Sequence, residues 1–276
     1  MAKEISRVVV IGAGRVGSAF LWSLKHLGYD LVGVFDRTPG IRRLREVRYR
    51  VIGMEEIRKH LRLKHPDVVF FTVPDRQIRP IFSRVRRYLK KGTVVVHCSG
   101  AWGRGLFNDA GRYGLETLAL HPLKSFATLN QAVQELPGSY FSLDGSPGGL
   151  RWGKRLVRQL GGKTIIIPEK HRPLYHAMCV FASNFINALF DGVEKLGREI
   201  RISERKAREI VLPLTLTVLE NIRQQGAVRS LTGPVKRGDR LTVTRHYKSL
   251  RRCFPELAVL YKRLSKYLAG MGGGNG

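Results

Sequence analysis

Apolar and polar positions fall into two regimes along the chain. Up to about residue 167, short apolar runs bounded by turn residues alternate with segments of helical period; beyond it the period is helical. Arg7–Gly12 (RVVVIG) is a continuous apolar run, as expected of a parallel strand buried on both faces. Gly14–Gly28 then places Val16, Phe20, Leu24 and Leu27 on one side of a helix. Asp30–Phe35, Asp67–Val73, Gly92–Val96 and Thr117–Leu120 read as further strands, with a helical stretch around Ile78–Leu89. Such alternation predicts an α/β fold built on a doubly wound parallel sheet.

After the last strand-like run, Ile165–Pro168, four helices are predicted: Pro173–Leu196, Ser203–Gln225, Asp239–Cys253 and Pro255–Leu268. Pro173 and Pro255 suit first-turn positions and Ser203 suits an N-cap, while Pro213 is expected to kink the second helix. The expected division is an α/β domain over 1–167, an all-helical domain over 168–268 and a flexible tail over 269–276.

Composition narrows the class. Hydrophobic residues make up 43% of the 276 positions, enough for a real core, so the net charge of +28 does not signal disorder. Residues 1–167 carry 29 basic and 12 acidic side chains and residues 168–276 carry 20 and 9, so no basic tail concentrates the charge. A uniformly basic surface steers anions and gives only salt-dependent, sequence-blind attraction to polyanions, so specific nucleic-acid binding is not expected. Cys98, Cys179 and Cys253 show no CxxC spacing, which argues against a disulfide scaffold or a metal site. With no apolar run of roughly 18–20 residues and no signal-peptide pattern, a cytoplasmic protein without membrane contact is expected.

The chemistry sits at strand ends. Gly12-Ala13-Gly14-Arg15-Val16-Gly17 follows the first strand and opens the first helix, the context in which GxGxxG reads as a dinucleotide site. Gly12 permits a tight turn, Gly14 lets backbone approach a pyrophosphate, Gly17 permits close helix packing, and the helix N-terminus favours phosphate. Asp36 ends the second strand, where a carboxylate would bond a ribose hydroxyl of NAD, but Arg37 and Thr38 follow at once and suit the 2′-phosphate of NADP. Arg42 and Arg43 read as solvated surface. NADP is the expected cofactor, with NAD as the alternative. Val73-Pro74-Asp75, His97-Cys98-Ser99-Gly100-Ala101 and His121-Pro122-Leu123-Lys124-Ser125-Phe126 close later strands and fall at the edge where open α/β sheets bind ligands. In the helical part, His176, Ser183 and Asn187 share one face of the helix expected over Pro173–Leu196, with Asn184 slightly off that line. The apolar surroundings imply that this helix is buried, and the polar stripe fits a core network or an active site. Thr232–Asp239 (TGPVKRGD) enters the next helix with Asp239 as N-cap and His246 on its face.

The ordered set GAGRVG, VPD, HCSGA, HPLKSF, YHAMCVFASNF and TGPVKRGD resembles a family of Rossmann-like NADP oxidoreductases with a C-terminal helical domain of unknown function. These are short relatives of pyrroline-5-carboxylate reductase, ketopantoate reductase and the β-hydroxyacid dehydrogenases. The resemblance spans about residues 7 to 265. It implies a Rossmann domain, a nicotinamide cofactor, and a helical domain of the 6-phosphogluconate dehydrogenase C-terminal type that forms homodimers. The Lys-x-x-x-Asn pair of the wider group is absent, since Leu174 stands four positions after Lys170. The expected reaction is hydride transfer between nicotinamide and a small oxo or hydroxy acid, possible ketopantoate-type substrates included. His176 or His121, near the ordinary imidazole pKa, would be the proton donor. Ser99, Ser183 and Asn184 would bond substrate oxygens, and Lys124 and Arg237 would hold a carboxylate. The site is expected between the two domains. A non-catalytic NADP(H) sensor and a polyanion-binding protein are the alternatives, separable by turnover and by salt dependence.

Overall fold

The computed structural model describes residues 6–44 and 47–271. In chain order the elements are β1 (Arg7–Ile11), α1 (Arg15–His26), β2 (Asp30–Asp36), β3 (Gly40–Leu44), β4 (Val47–Gly53), α2 (Ile57–Lys64), β5 (Val68–Phe71), α3 (Asp75–Val85), β6 (Val94–His97), β7 (Glu116–Pro122), α4 (Leu129–Glu135), β8 (Tyr140–Gly145), α5 (Pro147–Gln159), β9 (Lys163–Ile166) and α6 (Arg172–Phe181). There follow α7 (Asn184–Glu199), α8 (Glu204–Gln225), α9 (Arg240–Cys253) and α10 (Pro255–Gly270). The chain forms two compact units, Met1–Phe181 and Ala182–Gly276. That division falls one helix later than 167/168, because Arg172 and Tyr175 of α6 are buried in the first unit.

The first unit is built on a nine-stranded sheet of order β3-β4-β2-β1-β5-β6-β7-β8-β9. Every pairing from β2 through β1, β5, β6 and β7 is parallel; β8 runs antiparallel to β7, and β3 to β4. This is the expected doubly wound α/β architecture with two antiparallel additions. β1, β5 and β6 send alternate side chains to two separate cores, as parallel strands covered on both faces must. Val8, Val10, Phe70 and Val96 meet α1, α4 and α5 through Phe20, Leu24, Ala132 and Trp152. On the other face Val9, Ile11, Phe71 and Val95 meet α2 and α3 through Leu61, Ile78 and Phe82.

Periodicity does not announce β3 and β4. Alternation there leaves Tyr49 and Val51 against the core while Arg48 and Arg50 stay in solvent. Nor does it announce α4, β8 or α5. The helix expected over Pro173–Leu196 is two helices, broken at Ala182 and Ser183 between α6 and α7. His176 and Ser183 therefore do not lie on one continuous helix face, and the inference of a buried helix also fails: Leu174 is 77% and Phe181 69% exposed. In the second unit, α8 continues through Pro213, Ser203 caps it by accepting from the Lys206 N–H, and Asp239 caps α9 through the Thr242 N–H. α10 extends to Gly270, and residues 272–276 of the expected tail lie outside the described residues. Among the described residues no helix is long and apolar enough to cross a membrane.

α5 lies close on β7 because Gly149 has no side chain. A Cβ there would stand 2.1 Å from the Thr117 carbonyl oxygen, and backbone cannot yield as a side chain can. Gly149→Ala is expected to destabilise the chain by about 1–3 kcal/mol, lowering the urea midpoint at unchanged m-value. At neighbouring Gly148 the Cβ would meet only the Glu116 side chain, so Gly148→Ala is expected to cost clearly less.

Candidate functional site

The turn from β1 into α1 is shaped by glycine at three positions for three reasons. Gly12 has φ +101°, and a Cβ there would lie 2.7 Å from the backbone of Thr72. At Gly17 a Cβ would lie 1.9 Å from the Gly12 carbonyl oxygen, so α1 can pack on the turn only with glycine there. A Cβ at Gly14 would meet nothing within 4 Å: this side of the turn is open. Gly14 is also the N-cap of α1 and makes no side-chain cap, which leaves the first-turn N–H groups facing outward. An open backbone surface at an uncapped helix N-terminus fits a dinucleotide pyrophosphate.

Asp36 closes this turn. Its carboxylate accepts the Ala13 N–H at 2.7 Å and the Arg37 N–H at 2.7 Å. Arg42 is not simply solvated surface: its guanidinium donates to the Thr38 carbonyl at 2.9 Å and to the Ala13 carbonyl at 3.4 Å, and lies 4.0 Å from Asp36. The side chain of Arg43 lies outside the described residues. Arg15 is turned away from the turn and donates to the Phe126 and Ala127 carbonyls, tying α1 to the segment after β7. Val16 packs against one core cluster and Val73 against the other.

At the ends of β5 and β6 two expected clusters are joined. The Ser99 hydroxyl donates to Asp75 at 2.6 Å and accepts the Trp102 N–H at 3.3 Å, with Pro74 as N-cap of α3. Ser99 thus serves as a brace between the two turns. His97, fully buried, accepts the Ser99 N–H at Nδ1 and donates from Nε2 to the Gly103 carbonyl at 2.9 Å, a pattern that requires the neutral ring. Cys98 is partly buried, and desolvation together with the Asp75 carboxylate pushes its thiol pKa far up.

His121, near the end of β7, and His176, on α6, come together at Gly100. A methyl group at Gly100 would stand 2.6 Å from His176 Nδ1 and 2.9 Å from His121 Nε2. Glycine at this position therefore lets the turn pack directly against two imidazole nitrogens, and His176 Nδ1 is buried there with no hydrogen-bond partner. The rings lie edge to face with centroids 6.1 Å apart. Tyr175 holds His121 in place through a 2.8 Å hydrogen bond to Nδ1, and burial raises the Tyr175 pKa to about 12.

His121 does not keep an ordinary pKa. Burial, the Arg172 charge and His176 lower it to about 4. Of the remaining expected residues, Lys124 pairs with Glu135 at 3.4 Å, and Ser183 donates to the Asn184 carbonyl oxygen in the second unit. Arg237 also belongs to the second unit, in the loop that lines, with α9 and α10, a cavity of about 520 Å3 walled by Val235, Val243, Tyr247 and Tyr261. Gly100, Tyr175, His97 and Arg172 were not among the expected site residues; Gly100 and His97 lie inside the HCSGA motif, and Tyr175 precedes His176.

The buried histidines make stability depend on pH. Unfolded, His97 takes up a proton near its ordinary value of 6.5; folded, burial defers protonation to about 4. Its contribution is fully present above about pH 6.5 and is lost as pH falls toward 4, on the order of 3 kcal/mol for this residue. His121 acts in the same direction. Urea midpoints measured from pH 7.5 to 4.5 are expected to fall steeply below 6.5; a flat profile would contradict this account.

Residues 2–122 match the profile of a Rossmann-like domain, and residues 139–268 match that of a domain of unknown function, DUF2520. No curated protein matches the sequence. Among solved structures, protein TM1727 of Thermotoga maritima is 27% identical, with 96% of this chain and 98% of that one covered and a TM-score of 0.67. A Bacteroides fragilis protein provisionally termed an NADP oxidoreductase is 17% identical over 96% and 98% of the two chains, at a TM-score of 0.74. The pyrroline carboxylate reductase of Plasmodium falciparum, solved with NADP bound, is 12% identical over 98% and 100%, at a TM-score of 0.59. At these identities the last two are likenesses of fold. The chain carries a Rossmann-like domain followed by a DUF2520 domain, the arrangement its ordered motifs resemble.

Proposed function

We propose that this protein is an NAD(P)-dependent oxidoreductase that transfers a hydride between nicotinamide and the carbonyl carbon of a small oxo acid. One observation carries the reading: the open glycine turn at Gly14 and the pair of histidines packed at Gly100 occur at the carboxyl edge of one sheet. The solved relatives named as oxidoreductases support the same class of reaction. When bound, the nicotinamide supplies or accepts the hydride. The backbone around Gly14 and the first turn of α1 would hold the pyrophosphate.

NADP is the preferred cofactor in this reading. Asp36 already accepts one backbone N–H at each carboxylate oxygen and has Arg42 4.0 Å away, so it is partly engaged before any ribose hydroxyl arrives. Arg37 and Thr38 at the same turn suit a 2′-phosphate. Beside Gly100, the Tyr175 O–H donating to His121 Nδ1 would leave the Nε2–H of a neutral ring for a substrate oxygen. His176, whose Nδ1 has no partner, would deliver the proton as charge develops on that oxygen. Lys124 and Arg237 are the candidates for the substrate carboxylate.

The functional molecule in this reading is a homodimer formed through the helical unit. α8 exposes Leu212, Leu214, Leu216, Val218 and Leu219, more apolar surface than a monomeric helix leaves to water. Sedimentation at low micromolar concentration is expected to show a species of twice the 31.2 kDa chain mass, and a monomer there would count against pairing.

The reaction is tested by following NADPH oxidation against a panel of oxo acids. Gly14→Asp places a carboxylate where phosphate would lie and is expected to abolish NADPH binding read by tryptophan fluorescence. His176→Ala is expected to lower kcat by roughly two to four orders of magnitude with NADPH affinity retained. Wild-type NADPH affinity in Gly14→Asp, or full turnover in His176→Ala, would sink the respective assignment.

A further inference from the structure

The hairpin of β3 and β4 closes one end of the sheet, joined to it by the parallel pairing of Phe35 with Ile52 and of Asp36 with Gly53. In the hairpin register Arg42 stands directly opposite Tyr49, so the two side chains leave on the same face. Tyr49 packs against the core cluster that holds Phe20 and Leu24 of α1, and its hydroxyl lies 3.5 Å from that of Ser18. Arg42 is thereby carried to the β1–α1 turn from an edge strand. A slip of one residue in the pairing would turn it away.

At that turn one cation meets three segments. Nη2 donates to the Thr38 carbonyl at 2.9 Å, and Nη1 donates to the Ala13 carbonyl at 3.4 Å and lies 4.0 Å from the Asp36 carboxylate. Ala13, inside the glycine turn, is thus held on both sides: its N–H by Asp36 and its carbonyl by Arg42. The Arg42 side chain is still 34% exposed, and the N–H groups not used on these carbonyls remain for a ligand. Arg37 differs, being exposed and meeting Asp36 through its backbone N–H. A carboxylate at the end of β2 suits a ribose hydroxyl and repels a 2′-phosphate, whereas a guanidinium does the reverse. With the two groups 4.0 Å apart, their balance decides what the adenosine end accepts.

We propose that Arg42 is the residue that selects NADP over NAD: it offsets the Asp36 carboxylate and supplies the cation that a 2′-phosphate requires. Cofactor choice then depends on the edge hairpin rather than on Arg37, the arginine that directly follows β2. The pairing that seats Tyr49 against α1 also sets Arg42 at the turn, so hairpin register and cofactor selection are one piece of geometry. The inference rests on the β1–α1 turn being a dinucleotide site and names the side chain that discriminates between the two forms of that ligand.

The test is equilibrium binding of NADPH and NADH, which differ only in the 2′-phosphate, to the full chain without substrate, read by nicotinamide fluorescence. In Arg42→Gln, which keeps an amide donor but removes the charge, the ratio of NADPH to NADH affinity is expected to fall at least about tenfold, chiefly through weaker NADPH binding. In Arg42→Lys, which keeps the charge, the ratio is expected to stay within about threefold of wild type. An unchanged ratio in Arg42→Gln, an equal loss of both nucleotides in the folded variant, or a fall in Arg37→Gln but not in Arg42→Gln overturns the inference and leaves the dinucleotide site standing. A wild type that prefers NADH does the same. Should Arg42→Gln not fold, Arg42→Lys decides: NADPH preference retained there supports the inference, and preference lost overturns it. A wild type that binds neither nucleotide overturns the dinucleotide reading itself, and this inference with it.

Discussion

A parallel sheet covered on both faces has nowhere to put a polar side chain except at its ends. β1, β5 and β6 meet two apolar helical layers, so after Arg7 at the start of β1 each strand consists of Val, Ile and Phe until its final residue or the loop beyond. That constraint gathers Asp36, Asp75, His97, Ser99 and His121 on one edge without any of them being selected to meet the others. α1 and α3 then start from the same edge without side-chain caps, bringing first-turn N–H groups to it. Ligand chemistry at the carboxyl edge is thus a consequence of how the core is filled.

Within that edge, most polar groups are engaged with one another. Asp36 holds Ala13, Ser99 holds Asp75, His97 holds Ser99 and Gly103, and Arg15 reaches across to Phe126. Such bonds convert flexible loops into fixed surfaces, which is what close approach of a cofactor or substrate requires. Unmet capacity is left at few atoms, and His176 Nδ1 and Arg172 Nη2 are both beside the same Ser99–Gly100 turn. Satisfied groups around two unsatisfied ones make a site recognisable by its deficits.

What the sequence made legible follows from which forces are local. GAGRVG could be read because tight turns and close helix packing admit only glycine, so residue type reports geometry directly. The strands of the parallel sheet could be read because two-sided burial leaves unbroken apolar runs. β3 and β4 were not legible, since an arginine-rich edge hairpin imitates a solvated loop. The break between α6 and α7 was hidden as well: Ala182 and Ser183 are compatible with helix, and nothing in their neighbourhood of sequence signals an end. That break undid the single-face reading of His176 and Ser183, while the pairing of His176 with His121 emerged only from the long-range approach of α6 to Gly100.

Arg172 shows the sharper limit. In a chain with 49 basic residues, one more arginine at the start of a helix is the least informative letter available, and the default reading is solvent. Burial reverses its meaning. An exposed arginine contributes little beyond solubility, whereas one enclosed by Ser99, Ile167 and Tyr175 disfavours a positive charge on His97 and His121. The abundance of basic residues on this surface and the burial of Arg172 are therefore separate phenomena. The first sets the long-range field that draws anions toward the protein. The second, screened by protein rather than by salt, acts locally behind the Ser99–Gly100 turn.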